Sequence, residues 1–226
     1  MLQPLASSHA VLTEDEKELG VALVDMGGGT TDIAIFSGGA IRHTAVIPIA
    51  GDQITNDIAM ALRTPTNEAE EIKQRYAVAK QALANSSASF EVPGLGDRAP
   101  RQLSHQSLAA VVEPRVEELF SLVAQVIRES GYEELLSSGI VLTGGTAQIP
   151  GMVELGEDVF LKQVRVARPM YSGSLADLVC SPRYATALGL LEEARRQWLR
   201  GGVVSRQTGG FRDTWQRMKS WFVGNF

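Results

Sequence analysis

The sequence predicts an α/β fold, and three observations predict it. Short β-branched, apolar runs (Val21 to Asp25, Thr30 to Phe36 and Ile41 to Ile49) are separated by glycine-rich breaks and read as consecutive strands of one sheet. From Asp52 the period becomes helical, with Ile54, Ile58 and Leu62 on one face. Much later, a buried-strand run from Ile140 to Thr143 feeds a Gly144-Gly145 turn and a further helix from Met152.

The other elements follow in order. Gly38-Gly39 marks a hairpin between the second and third strands. Pro65 ends the first helix, and a second is predicted from Thr66 or Asn67 through Ile72 and Tyr76 to Leu83. Residues 85–104 mix Ser, Gly and Pro with the alternating apolars Phe90 and Val92, which predicts an irregular hairpin. A long amphipathic helix over about Ser107 to Glu129 directs Leu108, Val111, Val112, Val116, Leu119, Val123 and Val126 or Ile127 inward. Pro114 inside that pattern predicts a kink or a local break. A strand at Val164 to Ala167 and a helix from about Pro182 to Leu199 close the globular part. Gly201, Gly202, Ser205, Thr208, Gly209 and Gly210 then read as a flexible connector.

Composition bounds the function. At 226 residues, 44% hydrophobic and 21% charged, the chain can bury one large core or two small ones. No apolar run approaches the ~20 residues of a membrane-spanning helix, and Met1 to Glu14 lacks a signal-peptide pattern, so the expectation is neither an exported nor a transmembrane chain. The single Cys180 cannot form an internal disulfide, which suits a reducing compartment. Residues 195–226 carry seven cations against the one anion Asp213, a net +6 that leaves −11 on the rest. An acidic body disfavours nucleic acid, and none is expected as a partner; the basic end favours an anionic surface.

Two glycine-rich turns could carry chemistry. Asp25-Met26-Gly27-Gly28-Gly29-Thr30-Thr31-Asp32 lies between two strands, so its backbone N–H groups and Thr hydroxyls could converge on a phosphate. Asp25, at a strand end, is placed to hold Mg²⁺ through water beside that phosphate. On these residues alone an ordinary hairpin is an equal reading. Thr143-Gly144-Gly145-Thr146 is a second strand-to-glycine junction, where close backbone approach suits a nucleoside or a plain strand-to-helix turn.

Together these motifs resemble, in the correct order, the second half of an actin-like ATPase of the actin, Hsp70 and sugar-kinase superfamily. The run from Asp25 to Asp32 resembles its second phosphate loop, and Gly144 to Thr146 its adenosine loop. Glu70 and Lys73 resemble the Glu-x-x-Lys pair that reaches ribose and base; without the resemblance they read as a solvated ion pair. Within that superfamily the chain resembles the bacterial FtsA cell-division family. The resemblance is carried by Leu2-Gln3-Pro4-Leu5-Ala6-Ser7, Pro48-Ile49-Ala50-Gly51-Asp52-Gln53, Val112-Glu113-Pro114-Arg115 and a basic amphipathic end.

The resemblance implies a second actin-like lobe with an inserted α+β subdomain and a C-terminal amphipathic helix. The expected division is 1–50 and 139–200 for the lobe, 51–138 for the insert, 201–209 for a linker and 210–226 for the helix. It implies ATP and Mg as ligands, with the first lobe of a complete site missing, and self-association. It also implies that the insert binds the C-terminal peptide of the division-ring protein FtsZ; Arg115 is expected to hold a carboxylate of that acidic peptide, or else to be a solvent-facing helix residue.

The tail stands apart from the resemblance. At 100° per residue, Phe211, Trp215, Met218 and Phe222 fall within about 60° of one another, with Arg212 and Lys219 on one flank and Arg217 and Trp221 on the other. That pattern suits the boundary between acyl chains and anionic headgroups, although a helix folded back on the body or seated in a partner's groove shares it. Partial immersion of those apolar groups contributes ~4–8 kcal/mol and nearby cations ~1 kcal/mol each, against a comparable ordering cost. The expected function is an adaptor that tethers FtsZ polymers to the cytoplasmic face of the inner membrane at the division site. The alternative is half of an Hsp70-like or sugar-kinase-like enzyme, and any ATPase activity of the adaptor is expected to be weak at most.

Overall fold

A computed structural model describes residues 1–96 and 98–199. The chain divides into two compact units, 1–190 and 191–226. In the second, the described part is the end of one helix. The connector and the aromatic, basic segment lie outside the described residues.

The first unit is built on a five-stranded mixed sheet of order β3-β2-β1-β6-β7. Strands β1 (Val21–Met26), β2 (Thr31–Ser37) and β3 (Ala40–Ile47) form an antiparallel meander, while β6 (Ile140–Thr143) and β7 (Val164–Val166) run parallel to β1. The period of two sorts β1 between two cores. Ala22, Val24 and Met26 join the larger cluster on one face, and Val21 and Leu23 join a smaller one on the other. A strand buried on both faces reads as a continuous apolar run, which is how Val21 to Val24 reads.

Helices α1 (Gln3–Val11) and α2 (Glu14–Leu19) precede the sheet. Thr13 and Glu16 close a capping box at the start of α2, satisfying two otherwise unpaired N–H groups. The crossover from β3 to β6 carries α3 (Gly51–Leu62), α4 (Thr66–Tyr76), a small hairpin of β4 (Ser89–Val92) and β5 (Arg101–Ser104), and α5 (His105–Glu129). Helix α6 (Met152–Phe160) links β6 to β7, and α7 (Ala176–Val179) precedes α8 (Ala185–Leu199).

Three expectations need correction. Helix α4 ends at Tyr76 rather than Leu83: Ala77 is extended, the N–H of Ala79 is taken by the Pro150 carbonyl at 2.7 Å, and only a 3₁₀ turn remains at Gln81–Leu83. Of the two outcomes expected at Pro114, a kink or a local break, the break does not occur, since α5 is continuous across it. Pro114 and Ala110, whose carbonyl loses its helical partner, are both exposed, so water can replace the missing bond. Helix α8 starts at Ala185, after a 3₁₀ turn over Pro182–Tyr184.

Candidate functional site

Both glycine-rich turns, the start of α3 and one face of α4 converge on a cleft of about 540 Å³. Of the ten residues the sequence nominates as nucleotide contacts, Gly27, Gly28, Glu70, Lys73, Gly145 and Thr146 line it, and Gly29, Thr30, Thr31 and Gly144 do not. Asp52, Gln74, Gln148, Ile149, Pro150 and Arg183 complete the lining.

The walls are locked together through main-chain atoms. The carbonyl of Gly27 accepts from Gly51 N at 3.2 Å and from Thr146 Oγ1 at 2.7 Å, and that of Gly28 accepts from Asp52 N at 2.8 Å. The start of α3 and the second glycine turn are thus both fastened to the first glycine turn, meeting at the Gly27 carbonyl. The fit leaves no room at Gly51: a Cβ there would lie 2.5 Å from Thr146 Oγ1 and 3.3 Å from Gly27 O. Gly144 has φ +89°, and a Cβ would meet Met26 O at 2.4 Å and Asp25 Oδ1 at 2.7 Å.

The two threonines of the first turn part company where the turn meets β2, since Thr30 is still in the turn and Thr31 is the first strand residue. Thr31 is fully buried and its hydroxyl donates to Ile49 O at 2.8 Å. Thr30 is exposed and donates to Asp32 Oδ2 at 3.4 Å. Burial, and then the neighbouring Asp25 charge, push the Asp32 carboxyl above its ordinary value, with the Thr30 bond opposing.

Asp25 is only 3% exposed. Its Oδ2 accepts from Ser7 Oγ at 2.5 Å and from Thr186 Oγ1 at 3.1 Å, which ties α1 and α8 to the end of β1. Sequence reasoning missed both hydroxyls.

Glu70 and Lys73 form a built cluster. Lys73 Nζ donates to Gly51 O at 2.9 Å and Thr55 Oγ1 at 2.7 Å, and pairs with Glu70 Oε2 at 2.7 Å. An ammonium has three protons, so these partners use all of them. Glu70 also accepts from Thr55 and Gln74. Burial opposes ionisation of Glu70, but the bonds from Lys73, Thr55 and Gln74 outweigh it and hold the carboxyl below its ordinary value. Lys73 therefore clamps α4 to the start of α3, and Glu70 is the member of the pair more open to the cleft.

A second, shallower groove of about 380 Å³ lies between α3 and α5, lined by Asp57, Met60, Ala61, Val111, Pro114, Arg115 and Glu118. Arg115 is gripped on both sides: Nε and Nη2 bond the two oxygens of Asp57 at 2.5 and 3.1 Å, and Nη1 bonds Glu118 at 2.5 Å. The bond to Asp57, only partly offset by burial, raises the Arg115 pKa. Among the described residues no helix is long and apolar enough to cross a membrane, and no cluster of three or more His, Cys, Asp or Glu could hold a metal ion.

A mixed sheet with a crossover insertion and two glycine turns at one cleft is the architecture of an actin-like lobe. A solved actin-like structure, MreB5 of Spiroplasma citri bound to ADP, superposes with a TM-score of 0.67 at 21% identity, covering 89% of this chain and 62% of that one. The model of the cell division protein FtsA matches residues 22–189. The cell division protein FtsA of Pseudomonas aeruginosa is 55% identical over 100% of this chain and 56% of its own length. That of Escherichia coli K12 is 46% identical over 98% and 55%. The chain belongs to the FtsA family of cell-division proteins, and it spans a little over half the length of these relatives.

Proposed function

We propose that this chain is the nucleotide-responsive, partner-binding lobe of a division adaptor that joins FtsZ polymers to the inner face of the cytoplasmic membrane. The observation that carries the reading is the single cleft into which two glycine turns, more than a hundred residues apart in sequence, and the Glu70–Lys73 pair all converge. Gly27 to Gly29 with Thr30 would cradle phosphates, Gly144 to Thr146 would approach the nucleoside, and Glu70 would accept from ribose hydroxyls. The ligand is ATP with a divalent cation, which would neutralise phosphate charge; the sequence assigns that cation to Asp25 through water. Catalysis by this lobe alone is not part of the proposal.

The groove between α3 and α5 is the proposed seat of the FtsZ C-terminal peptide, with Arg115 meeting a peptide carboxylate. Phe211, Arg212, Trp215, Met218, Lys219, Trp221 and Phe222 are the proposed membrane contacts, and self-association is proposed from the family. Several copies on one polymer would convert weak individual attachment into durable attachment.

Co-sedimentation with anionic vesicles tests the tether. The intact chain is expected in the pellet and a version ending at Arg200 in the supernatant; equal pelleting of the two overturns the membrane role. Titration of the FtsZ peptide onto Arg115→Glu tests the groove, where unchanged affinity removes Arg115 from it.

A further inference from the structure

Among the described residues two cations line the cleft, Lys73 and Arg183, and they stand differently. Lys73 is buried, and Gly51 O, Thr55 Oγ1 and Glu70 Oε2 take its three protons, so none is left for a ligand. Arg183 is exposed, and among the described residues its guanidinium has no hydrogen-bond or ion-pair partner. The charge does meet an aromatic face: the guanidinium carbon lies 5.5 Å from the centroid of the Tyr184 ring, within cation–π range.

The main chain beneath Arg183 is held firmly. It sits in the 3₁₀ turn Pro182–Tyr184, where the Pro182 carbonyl accepts from Gly144 N at 3.2 Å and from Thr143 Oγ1 at 3.4 Å. Just before the turn, Ser181 Oγ donates to Gln148 Oε1 at 2.9 Å, and Gln148 Nε2 donates to Gly145 O at 3.2 Å. The turn is thus pinned to the second glycine junction from both sides. The Arg183 Cβ lies 3.9 Å from where a Cβ on Gly145 would stand, so a flat group resting on that glycine has Arg183 at its border.

We propose that Arg183 forms one wall of the base pocket and lays its guanidinium against a face of the nucleotide's purine ring. The proposal rests on the nucleotide reading above, which brings the nucleoside to the second glycine junction. A guanidinium is planar, more weakly hydrated than an ammonium, and stacks on aromatic faces. Tyr184 stands outside the cleft lining, so it backs Arg183 without occupying the space a base would take. Arg183 breaks no hydrogen bond in turning to a base, whereas Lys73 would have to surrender Gly51, Thr55 or Glu70. A phosphate is the competing target for this cation, but the side chain that borders Gly28 and Gly29 is Asp52, and Arg183 borders Gly145. Its place beside the nucleoside junction favours the base.

The test is calorimetric titration of the full chain with ATP and with adenosine, for the wild type, Arg183→Gln and Arg183→Tyr. Arg183→Gln should bind both ligands more weakly, by about threefold to thirtyfold and by the same factor for each. Arg183→Tyr, which exchanges the charge for a flat ring, should bind adenosine to within about twofold of the wild type. Both variants should keep the wild-type circular dichroism and melting midpoint to within a few degrees, because Arg183 is exposed. An Arg183→Gln protein that keeps its adenosine affinity while losing ATP overturns the proposal and moves the cation to a phosphate. An Arg183→Tyr protein that binds adenosine no better than Arg183→Gln overturns it too, since a stacking wall should not need the charge. A wild type that binds neither ligand overturns the nucleotide reading itself, and this proposal with it.

Discussion

The cleft and the groove share α3 but are built by opposite means. The cleft is walled by main chain: glycines pressed together, carbonyls and N–H groups bonded across three segments, and a Lys73 whose every proton is engaged. The groove is walled by side chains, with Met60 largely exposed and Arg115 held by two acids that it could exchange for others. The difference teaches where each site tolerates change. A substitution that adds atoms to the cleft has to move backbone, whereas one in the groove only moves side chains.

The largest expected effect follows directly. Gly144→Ala forces a Cβ onto Met26 O and Asp25 Oδ1 from a backbone at φ +89°. It should cost about 3 kcal/mol or more of folding stability, combining left-handed strain with a clash against main chain. Urea unfolding measures this; a loss below about 1 kcal/mol would mean that the main chain behind the cleft yields as easily as side chains, and the contrast would collapse.

The Glu70 cluster is intermediate, because its partners are side chains that lock main chain. Glu70→Gln should lower stability by about 1–2 kcal/mol at neutral pH, as Lys73 and Thr55 lose a charged acceptor. The sign of its pH dependence follows from the lowered carboxyl. The folded protein binds fewer protons here than the unfolded chain, so the contribution of Glu70 is complete above the ordinary carboxylate range and is lost as pH falls through the lowered value. The gap between wild type and variant in denaturant midpoint should be widest near pH 7 and close below about pH 4. A gap that widens on acidification contradicts the assignment.

The same contrast explains what the sequence made legible. The strands stand out because Val21 to Val24 is apolar on both faces, and the cleft because two glycine turns, each readable alone as an ordinary turn, together resemble the second half of an actin-like ATPase. Thr30 and Thr31 look alike in composition, and only the fold shows that Thr31 opens β2 with its hydroxyl spent on Ile49 O. Asp52 and Arg183 carry no spacing signal; only the fold brings them to the cleft. Helix α4 was overrun because Ala77, Val78 and Ala79 suit a helix locally, and the bond from Ala79 to Pro150, over seventy residues away, decides otherwise. The capping box at Thr13 and Glu16 was present in the sequence and could have announced α2. The groove was visible only through Pro114 and Arg115, since side-chain walls leave no glycine signature.

The smallest effect on stability, and the sharpest on binding, belongs to Asp57. Its pair with Arg115 is bidentate and part-buried, but Glu118 still grips the guanidinium once Asp57 is neutralised, so the loss should be about 1 kcal/mol or less. Asp57→Asn should therefore leave the denaturant midpoint nearly unchanged. It also removes a carboxylate that competes with any acidic peptide for the same guanidinium, so FtsZ-peptide affinity should rise severalfold, with a steeper dependence on salt as the freed charge faces solvent. Weakened binding would mean that Asp57 orients Arg115 rather than occupying it. The groove would then be preorganised by fixed bonds, as the cleft is, and the two regions would differ in material but not in principle.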